Sequence, residues 1–298
     1  MEQRLLGRTG MLVSVLGFGG SEIGYEGISI ATVTVLLNAA IDAGLNVIDT
    51  AECYVDSEEL VGKAIAGRRN ECYLFTKCGH PEGWGRGDWR PASILKSIER
   101  SLRRLQTDHL DLVQLHSCSL AELRQGDVLE VLQRARERGY TRFIGYSGDS
   151  QAARYAADCG QFDTLQTSVN IADQETLDRV LPIVRAKNMG VIAKRPVANV
   201  AWKTGKRPSD PYHDVYWKRL QKLKYAFLNR ELNETIGIAL RFTLSVPDVH
   251  TAIVGTTKPG RWQQNAALLT AGPLPQDQFE EIRARWGEVA DSSWVGQI

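Results

Sequence analysis

Short apolar runs alternate with amphipathic stretches along nearly the whole chain. The runs typical of strands occupy residues 15–19, 46–51, 72–77, 110–116, 142–147, 164–169, 191–196 and 251–256. The stretches between them with apolar residues at three- and four-residue steps, typical of helices, include 57–66, 91–105, 128–138 and 174–187. Strands that alternate with helices predict parallel β-α units. Eight such units without a break in composition favour one α/β domain over residues 1–298, a closed (β/α)8 TIM barrel.

Glycines mark the ends of several predicted elements. A short opening segment, residues 4–14, turns at residues 7–10 and predicts an N-terminal hairpin ahead of the barrel. Gly44, Gly139 and Gly190 each follow a helix-like stretch. Because glycine tolerates the left-handed conformation that ends many helices, each of the three is expected to cap one.

Composition and charge narrow the class of protein. The 298 residues are 43% hydrophobic and 24% charged, with 36 basic and 35 acidic side chains and a formal net charge of +1. This balance argues against a nucleic acid or an anionic membrane as the main partner. No apolar run reaches the ~18 residues of a membrane span, and the first residues lack the pattern of a signal peptide. Five cysteines without a C-x-x-C pair favour a reduced, cytoplasmic enzyme, whose oligomeric state the sequence leaves open.

Three predicted strands that follow one another end in Asp49, Lys77 and His116. The carboxyl ends of the strands form the mouth at which barrel enzymes hold their active sites. Alternation along a strand places Lys77 on the same face as Phe75, so the three polar groups can converge. Tyr54 lies five residues after Asp49, on the loop that leaves that strand, and can fold back over it.

These four residue types suit the reduction of a carbonyl. A tyrosine titrates near ~10, and a neighbouring ammonium such as that of Lys77 is expected to lower its pKa. Asp49 would keep the buried lysine charged, and His116 would donate a hydrogen bond to the carbonyl oxygen. A proton donor and a polarised carbonyl without a nucleophile predict hydride transfer, with a cofactor as the source of electrons.

The chain resembles the aldo-keto reductase family over almost its whole length. The resemblance lies in LLGRTGMLVSVLGFGG, GLNVIDTAECYVDSEELVGKAI, LFTKCG, DLVQLH, RFIGYSG and IVGTTKPGRWQQN. It implies a (β/α)8 barrel and NAD(P)H-dependent interconversion of small carbonyls and alcohols. It also implies catalytic roles for Asp49, Tyr54, Lys77 and His116. In that scheme Tyr54 is the general acid, Lys77 held by Asp49 tunes it, and His116 orients the substrate.

The same resemblance implies a cofactor site. The residues that match the family's cofactor contacts are Gly19, Ser147, Gln166, Lys194, Arg195, Pro196, Gly255, Thr256, Lys258, Arg261, Gln264 and Asn265. Ser147 and Gln166 would hold the nicotinamide carboxamide, and Arg195 with Pro196 would contact the pyrophosphate. Around the adenosine, the resemblance places Thr256, Lys258 and Arg261 at a 2′-phosphate, and Asn265 at the adenine with Gln264 in place of a common Glu. Since arginine binds phosphate through a planar pair of donors, NADPH is preferred, with NADH possible.

Two positions depart from the family pattern. Lys194 stands where an aromatic side chain usually stacks on the nicotinamide, so Trp202 or Trp217 would have to supply that face. Gly148 stands where many members have an asparagine. These departures leave open an alternative function, a cofactor-sensing regulatory subunit with little turnover.

Glycine-rich segments offer weaker alternatives. The segment GFGGSEIG fails as a dinucleotide fingerprint because Glu22 occupies the position that requires the third glycine. Residues 255–260 have the glycine spacing of a phosphate loop but continue into Arg261 and Trp262 rather than Lys and Ser or Thr. A phosphosugar enzyme that uses this loop for substrate phosphate would leave Tyr54 and Ser147 without a role.

Cys78-x-His80 and His116-x-Cys118 resemble two halves of a zinc site. Parity argues against it, since Cys78 should face away from the mouth when Lys77 faces inward. We therefore expect no metal.

Aromatic side chains are candidates for a lid over the mouth. Trp84 and Trp89 belong to the glycine-rich segment 79–90 that follows a predicted strand, and Trp294 lies near the end of the chain. Each is expected either to line the substrate site or simply to pack its own loop down.

Overall fold

Parallel strands close into a barrel in their order along the chain. The computed structural model describes residues 1–297. The eight barrel strands are β3 (Leu16–Gly19), β4 (Val47–Asp49), β5 (Tyr73–Cys78), β6 (Leu110–His116), β7 (Thr141–Ser147), β8 (Thr164–Ser168), β9 (Gly190–Lys194) and β10 (Thr251–Gly255). The ends of each strand lie within two residues of the ends of a predicted apolar run, so the predicted barrel is confirmed.

Helices surround the barrel. They are α1 (Ser21–Tyr25), α2 (Ile30–Asp42), α3 (Ser57–Ala64), α4 (Pro91–Arg104), α5 (Leu120–Gln125), α6 (Asp127–Glu137), α7 (Ser150–Asp158), α8 (Glu175–Arg179), α9 (Leu181–Ala186), α10 (Pro211–Leu223), α11 (Leu232–Ser245), α12 (Arg261–Leu268) and α13 (Gln276–Val289). In α4, for example, Ile94 and Ile98 lie on the buried face, and Lys96 and Arg103 are exposed to solvent. Within residues 1–297, no helix combines the length and the apolar character that crossing a membrane requires.

The predicted N-terminal hairpin is present and closes the amino-terminal end of the barrel. Its strands β1 (Gln3–Leu5) and β2 (Leu12–Ser14) pair antiparallel. Leu6, Met11 and Val13 pack with the inward-facing side chains of the barrel strands in one buried cluster. The barrel interior is therefore filled at this end, and its polar chemistry is confined to the carboxyl ends of the strands.

Side-chain alternation follows the predicted parity. Phe75 and Leu112 point into the barrel, whereas Cys78 packs in the cluster between the strands and the helices. Lys77 is paired with Gln114 in the register of β5 and β6, and His116 with Ser147 in that of β6 and β7. The last inward positions of adjacent strands therefore meet at one level of the mouth.

Two local predictions were wrong. The stretch 174–187 is divided into α8 and α9 at Val180, because Pro182 has no N–H to donate to the carbonyl four residues earlier and its ring crowds that carbonyl. Gly190 is not a helix cap but the first residue of β9, and the left-handed residue here is Asn188, with φ 47°. A Cβ at Gly190 would lie 2.7 Å from Cγ of Leu6, so this glycine admits the hairpin. Gly44 and Gly139 have the expected positive φ.

Candidate active site

A buried ion pair lies at the floor of the barrel mouth. Lys77 and Asp49 are each 1% exposed, and the Lys77 ammonium donates to Oδ2 of Asp49 and, at 2.9 Å, to the carbonyl of Thr50. The other carboxylate oxygen of Asp49 accepts from the amides of Gln166 at 2.8 Å and Gln114 at 3.2 Å. Because the carboxylate and the ammonium each have at least two partners, hydrogen bonds within the protein take the place of water around this pair.

Tyr54 lies above this pair on the loop between β4 and α3. Its N–H donates to the carbonyl of Ala51 at 3.0 Å, a turn that brings the ring back over the strand end. The Lys77 ammonium lies 5.0 Å from the ring centroid, and the imidazole of His116 lies 5.7 Å from it, edge-on. The structure thus brings together the four residues that the sequence analysis had grouped.

The expectation that Lys77 lowers the pKa of Tyr54 was wrong for this structure. Burial, reinforced by the negative charge of Asp49, raises the pKa of the Tyr54 hydroxyl well above its usual range. That expectation rested on the cation alone, whereas burial and the negative charge of Asp49 act on the hydroxyl in the opposite direction. Tyr54 is therefore held firmly as a protonated phenol.

His116 is fixed from three sides. The thiol of Cys53 lies 3.4 Å from its Nδ1, Nε2 of His80 lies 2.8 Å from its backbone oxygen, and the indole of Trp84 lies 4.8 Å from its ring. Burial, together with the charge of Lys77, lowers the pKa of His116 well below its ordinary value. The imidazole is neutral and can donate or accept a hydrogen bond without carrying charge into the site.

The loop 79–90 supplies one wall of the mouth. Trp84 is 48% exposed and lies 4.9 Å from the ring of His80, and Trp89 meets the same ring edge-on at 5.5 Å. Trp89 packs on Gly79, whose φ of 114° and lack of a side chain make room for the indole. Of the proposed lid residues, Trp84 faces the candidate catalytic groups and Trp89 packs the loop down.

The candidate zinc ligands do not converge. Cys78 faces the outer core and lies 3.6 Å from the carbonyl of Gln114, while Cys118 lies near its own helix start at Glu122. His80 is bonded to the backbone of His116. Within residues 1–297, no group of three His, Cys, Asp or Glu side chains is arranged to hold a metal.

The carboxamide-binding candidates lie beside the ion pair. The hydroxyl of Ser147 donates to Oε1 of Gln166 at 3.2 Å, and the amide of Gln166 is bound to Asp49. A Cβ at Gly148 would lie 2.5 Å from the Tyr146 hydroxyl, which explains why the family's asparagine does not fit here. Ser147 and Gln166 thus offer a donor and an acceptor pair to an incoming amide.

Lys194 does not replace the missing aromatic but enters a buried charge cluster. Its ammonium lies 2.8 Å from Asp149, which also accepts from the hydroxyl of Thr167 at 2.8 Å and the N–H of Ser168 at 2.7 Å. Burial lowers the pKa of Lys194 to about 8, against the opposing effect of Asp149.

Neither tryptophan suggested as a stacking face occupies the mouth. Trp202 donates to the Thr235 hydroxyl of α11 at 2.9 Å, and Trp217 packs on the outer core. The aromatic side chain next to Arg195 is instead Tyr212, whose ring lies 4.9 Å from the guanidinium and whose hydroxyl accepts from its Nε.

Arg195 and Pro196 follow β9 directly. Arg195 has a positive φ of 57° and donates to the Ser168 hydroxyl at 2.9 Å and to the carbonyl of Gln297 at 2.7 Å. Pro196 is buried, and its carbonyl accepts from Thr243 at 2.8 Å. The end of the chain therefore crosses the strand ends here, although Trp294 itself packs against Trp286 rather than over the mouth.

The turn from β10 into α12 presents two cations. The Thr256 hydroxyl accepts from the N–H of Lys258 at 3.1 Å, and Arg261 is the first residue of α12. Among residues 1–297, neither Lys258 nor Arg261 forms an ion pair within 4.0 Å. Gln264 is exposed and Asn265 half-buried on the same helix. Cationic side chains without ion-pair partners at the start of a helix are suited to binding a phosphate group.

Two glycines, Gly19 and Gly255, end the adjacent strands beside this turn. A Cβ at Gly19 would lie 3.5 Å from the nitrogen of Gly255, and one at Gly255 would overlap the carboxylate of Glu22. Burial raises the pKa of that carboxyl. The residues present fit a phosphorylated dinucleotide at both of its ends. The exceptions are Glu22, whose carboxylate lies against Gly255, and Lys194, which stands in place of an aromatic side chain.

Several residues of the site were missed from the sequence. Gln114, Cys53, His80, Asp149 and Tyr212 all contact predicted site residues. The alternation of side chains along β6 indicated Gln114, which shares the inward face of that strand with His116. Cys53 could have been found because it directly precedes Tyr54. For Asp149 and Tyr212 the sequence held no signal, because only the folded loops bring them to the mouth.

Comparisons with known proteins agree with this geometry. The model of the aldo/keto reductase family matches residues 15–286. An L-galactose dehydrogenase from Arabidopsis thaliana is 29% identical over 100% of this chain and 98% of its own. A holo aldo-keto reductase from Bacillus halodurans superposes with a TM-score of 0.80, at 26% identity and 96% coverage of both chains. A Klebsiella pneumoniae aldo-keto reductase in complex with NADP and acetate gives 0.74, at 25% identity and 95% coverage of both. This chain belongs to the aldo/keto reductase family and is an NAD(P)H-dependent oxidoreductase.

Proposed function

We propose that this protein reduces an aldehyde or ketone to an alcohol with NADPH, and that Tyr54 is the general acid. The observation that carries the proposal is the grouping of Tyr54, Lys77 and His116 around one point of the mouth, with Asp49 beneath. The family places such chemistry in this barrel, and the Klebsiella pneumoniae relative is described in complex with NADP.

The bound dinucleotide would supply the hydride to the carbonyl carbon. As that bond forms, negative charge develops on the carbonyl oxygen, where a hydrogen bond from His116 stabilises it. Tyr54 then gives its proton to this oxygen, which completes the alcohol. An alkoxide is a stronger base than a phenolate, so the transfer is favourable even though burial raises the pKa of Tyr54. Lys77 stabilises the phenolate that remains, 5.0 Å from its ring.

Residues of this chain would hold the cofactor at two ends. Ser147 and Gln166 would exchange their mutual hydrogen bond for bonds to the carboxamide. Lys258 and Arg261, which lack ion-pair partners among the described residues, would bind a 2′-phosphate. These two cations are the reason to place NADPH ahead of NADH.

The test is NADPH consumption with a panel of aldehydes and ketones. Replacing Tyr54→Phe keeps the ring beside His116 and removes only the proton donor, so kcat should fall by about 10²- to 10⁴-fold while the Kd for NADPH is unchanged. Tyr25→Phe is the matched control, since its ring lies 6.0 Å from that of Tyr54 and its hydroxyl binds only the backbone of Cys53. That control should retain most of its turnover.

Two results would contradict the proposal. Normal turnover by Tyr54→Phe would exclude Tyr54 as the proton donor. Tight NADPH binding without turnover of any carbonyl would instead support a cofactor-sensing regulatory subunit, the alternative that the Lys194 and Gly148 departures left open.

A further inference from the structure

Glu52 is a buried carboxylate on the loop between β4 and α3, two residues before Tyr54. Its side chain is 1% exposed, and its N–H donates to the carbonyl of Lys77 at 3.1 Å. The loop that carries the candidate proton donor is therefore attached to the end of β5 at this residue. The reduction proposed above makes no use of the Glu52 side chain.

The carboxylate of Glu52 binds the first residues of the loop 79–90. Its Oε1 accepts from the N–H of Gly79 at 2.7 Å and from the N–H of His80 at 2.9 Å. Both residues are buried, and two consecutive amides that converge on one oxygen form a site suited to an anion. Without this oxygen both N–H groups would lose their acceptor away from water, so the start of the loop would rearrange.

The second carboxylate oxygen of Glu52 binds α4. Oε2 accepts from the guanidinium of Arg100, whose side chain is partly exposed. A charge-assisted hydrogen bond of this kind restricts the orientation of a buried carboxylate. Glu52 thus joins three segments, which are the loop after β4, the loop after β5 and α4.

The loop that Glu52 holds contacts the candidate reacting groups. His80, whose N–H is bound by Glu52, extends its side chain to the backbone of His116, with Nε2 at 2.8 Å from the carbonyl oxygen. Further along the same loop, the indole of Trp84 lies 4.8 Å from the ring of His116. The positions of Trp84 and His116 relative to Tyr54 therefore depend on the hydrogen bonds that Glu52 makes.

We propose that Glu52 is a positioning residue for the reduction. By holding the loop 79–90, it keeps Trp84 and His116 in place beside the proton donor. Its own carboxylate is enclosed by the two loops and α4, so it acts through the loop and not on the substrate. This inference rests on the proposed function. A displacement of reacting groups by about 1 Å can lower a rate by about 10²-fold, so the loss of these hydrogen bonds should be visible in turnover.

The experiment measures NADPH consumption with the carbonyl of the panel that the wild-type protein reduces fastest. Glu52→Ala removes both acceptor oxygens, and kcat/KM should fall by about 10- to 100-fold. Glu52→Gln keeps an oxygen that can accept from both N–H groups while the partly exposed Arg100 turns to solvent, so most of the activity should return. The Kd for NADPH should not change in either variant, because the candidate cofactor residues lie on other segments.

A third variant makes the test independent of whether Glu52→Ala folds. Glu52→Asp keeps the negative charge, but its side chain is shorter by a methylene and cannot reach both amides and Arg100 together. Its kcat/KM should fall in the same direction as that of the alanine variant.

A neighbouring buried carboxylate provides the matched control. Glu58 accepts from the hydroxyl of Thr76 at 2.7 Å and lies 3.5 Å from Arg104. Within residues 1–297, it makes no hydrogen bond to the loop 79–90. Glu58→Ala should therefore lower the free energy of unfolding, as Glu52→Ala does, and leave kcat/KM at the wild-type value.

Each outcome bears on one level of the argument. A fall of kcat/KM in Glu52→Ala and Glu52→Asp, with recovery in Glu52→Gln and no loss in Glu58→Ala, supports the positioning role. Normal kcat/KM without the Glu52 side chain, or an equal loss in Glu52→Gln or Glu58→Ala, would refute that role and leave the proposed reduction intact. NADPH bound by the wild-type protein without turnover of any carbonyl would refute the reduction, and the positioning role with it.

Discussion

At the scale of single residues, the pKa and the hydrogen bonding of a polar group at the mouth depend more on its neighbours than on its own residue type. Asp49 accepts from Lys77, Gln114 and Gln166 at once. The sequence could nominate Asp49 and Lys77 because each stands at a strand end. The pKa of Tyr54 could not be predicted that way, because it depends on burial and on the partner that neutralises Lys77. The direction of a pKa shift depends on the combined effect of all neighbouring groups, and the fold decides which groups are neighbours.

The residue-scale prediction concerns Cys53. Burial raises the pKa of the Cys53 thiol to about 12, so we expect this thiol to donate to Nδ1 of His116, 3.4 Å away, and to leave the ring hydrogen on Nε2. Cys53→Ala would remove this donor, so the ring should populate both tautomers and kcat should fall by about three- to tenfold. Cys53→Ser restores a donor and should recover part of the loss. Nitrogen NMR of the histidine rings checks the cause directly: Nδ1 of His116 should be unprotonated in the wild type and mixed in Cys53→Ala. A protonated Nδ1 in the wild type would show that the thiol accepts instead.

At the scale of elements, strands were easier to predict than the turns and loops between them. Apolar runs and their parity gave eight strands and the inward set of side chains, since both follow from local alternation. The break at Val180 and the role of Gly190 required knowledge of what packs nearby. The same is true of residues 194 to 200, where Arg195, Ala198, Asn199 and Val200 all have positive φ values.

The element-scale prediction concerns the first residue of α12. Arg261→Ala should weaken NADPH binding by about 10- to 100-fold, the range for hydrogen bonds to a charged group, and NADH binding much less. Arg103→Ala, an exposed cation in the last turn of α4, is the matched control and should change neither. Fluorescence titration with each nucleotide measures the two Kd values. An equal loss for both nucleotides would remove the case for a 2′-phosphate at Arg261.

At the scale of the whole molecule, buried charges tie distant segments to the barrel mouth. Arg219 of α10 lies 3.6 Å from Asp173 and donates to the carbonyl of Val295 at 2.6 Å. The N–H of Gly296 donates to Glu175 at 2.8 Å. The end of the chain is thus held by groups from α8 and α10. No local pattern could have indicated this, because the partners lie more than 70 residues apart.

The prediction at this scale is a pH dependence of stability. Burial, and then the charge of Asp149, raises the pKa of Asp173 to about 7, whereas an unfolded aspartate titrates near ~3.9. The folded state therefore binds this proton more tightly. Its contribution to stability is complete below about pH 4 and is lost as the pH rises through about 7.

The asparagine side chain of Asp173→Asn cannot ionise, so this variant should not lose stability at this position as the pH rises. Its free energy of unfolding, relative to the wild type, should rise by about 2 kcal/mol between pH 5 and pH 8 in urea titrations. The control is Asp178→Asn, which removes an exposed carboxylate paired with Arg283 and should differ from the wild type equally at both pH values. A constant difference for Asp173→Asn as well would show that Asp173 is ionised throughout.

The sequence by itself determined the barrel, the hairpin and the strand-end residues, because periodicity and parity are local and a closed parallel barrel leaves little freedom in where strand ends meet. Tertiary structure alone decided the burial, the hydrogen-bond partners and the neighbouring charges of those residues. The protonation of Tyr54, the contacts that Cys53 and His80 make with His116, and the ion pair of Lys194 with Asp149 each depend on groups from separate loops. Such contacts form only after burial has removed water and fixed the loops over the mouth.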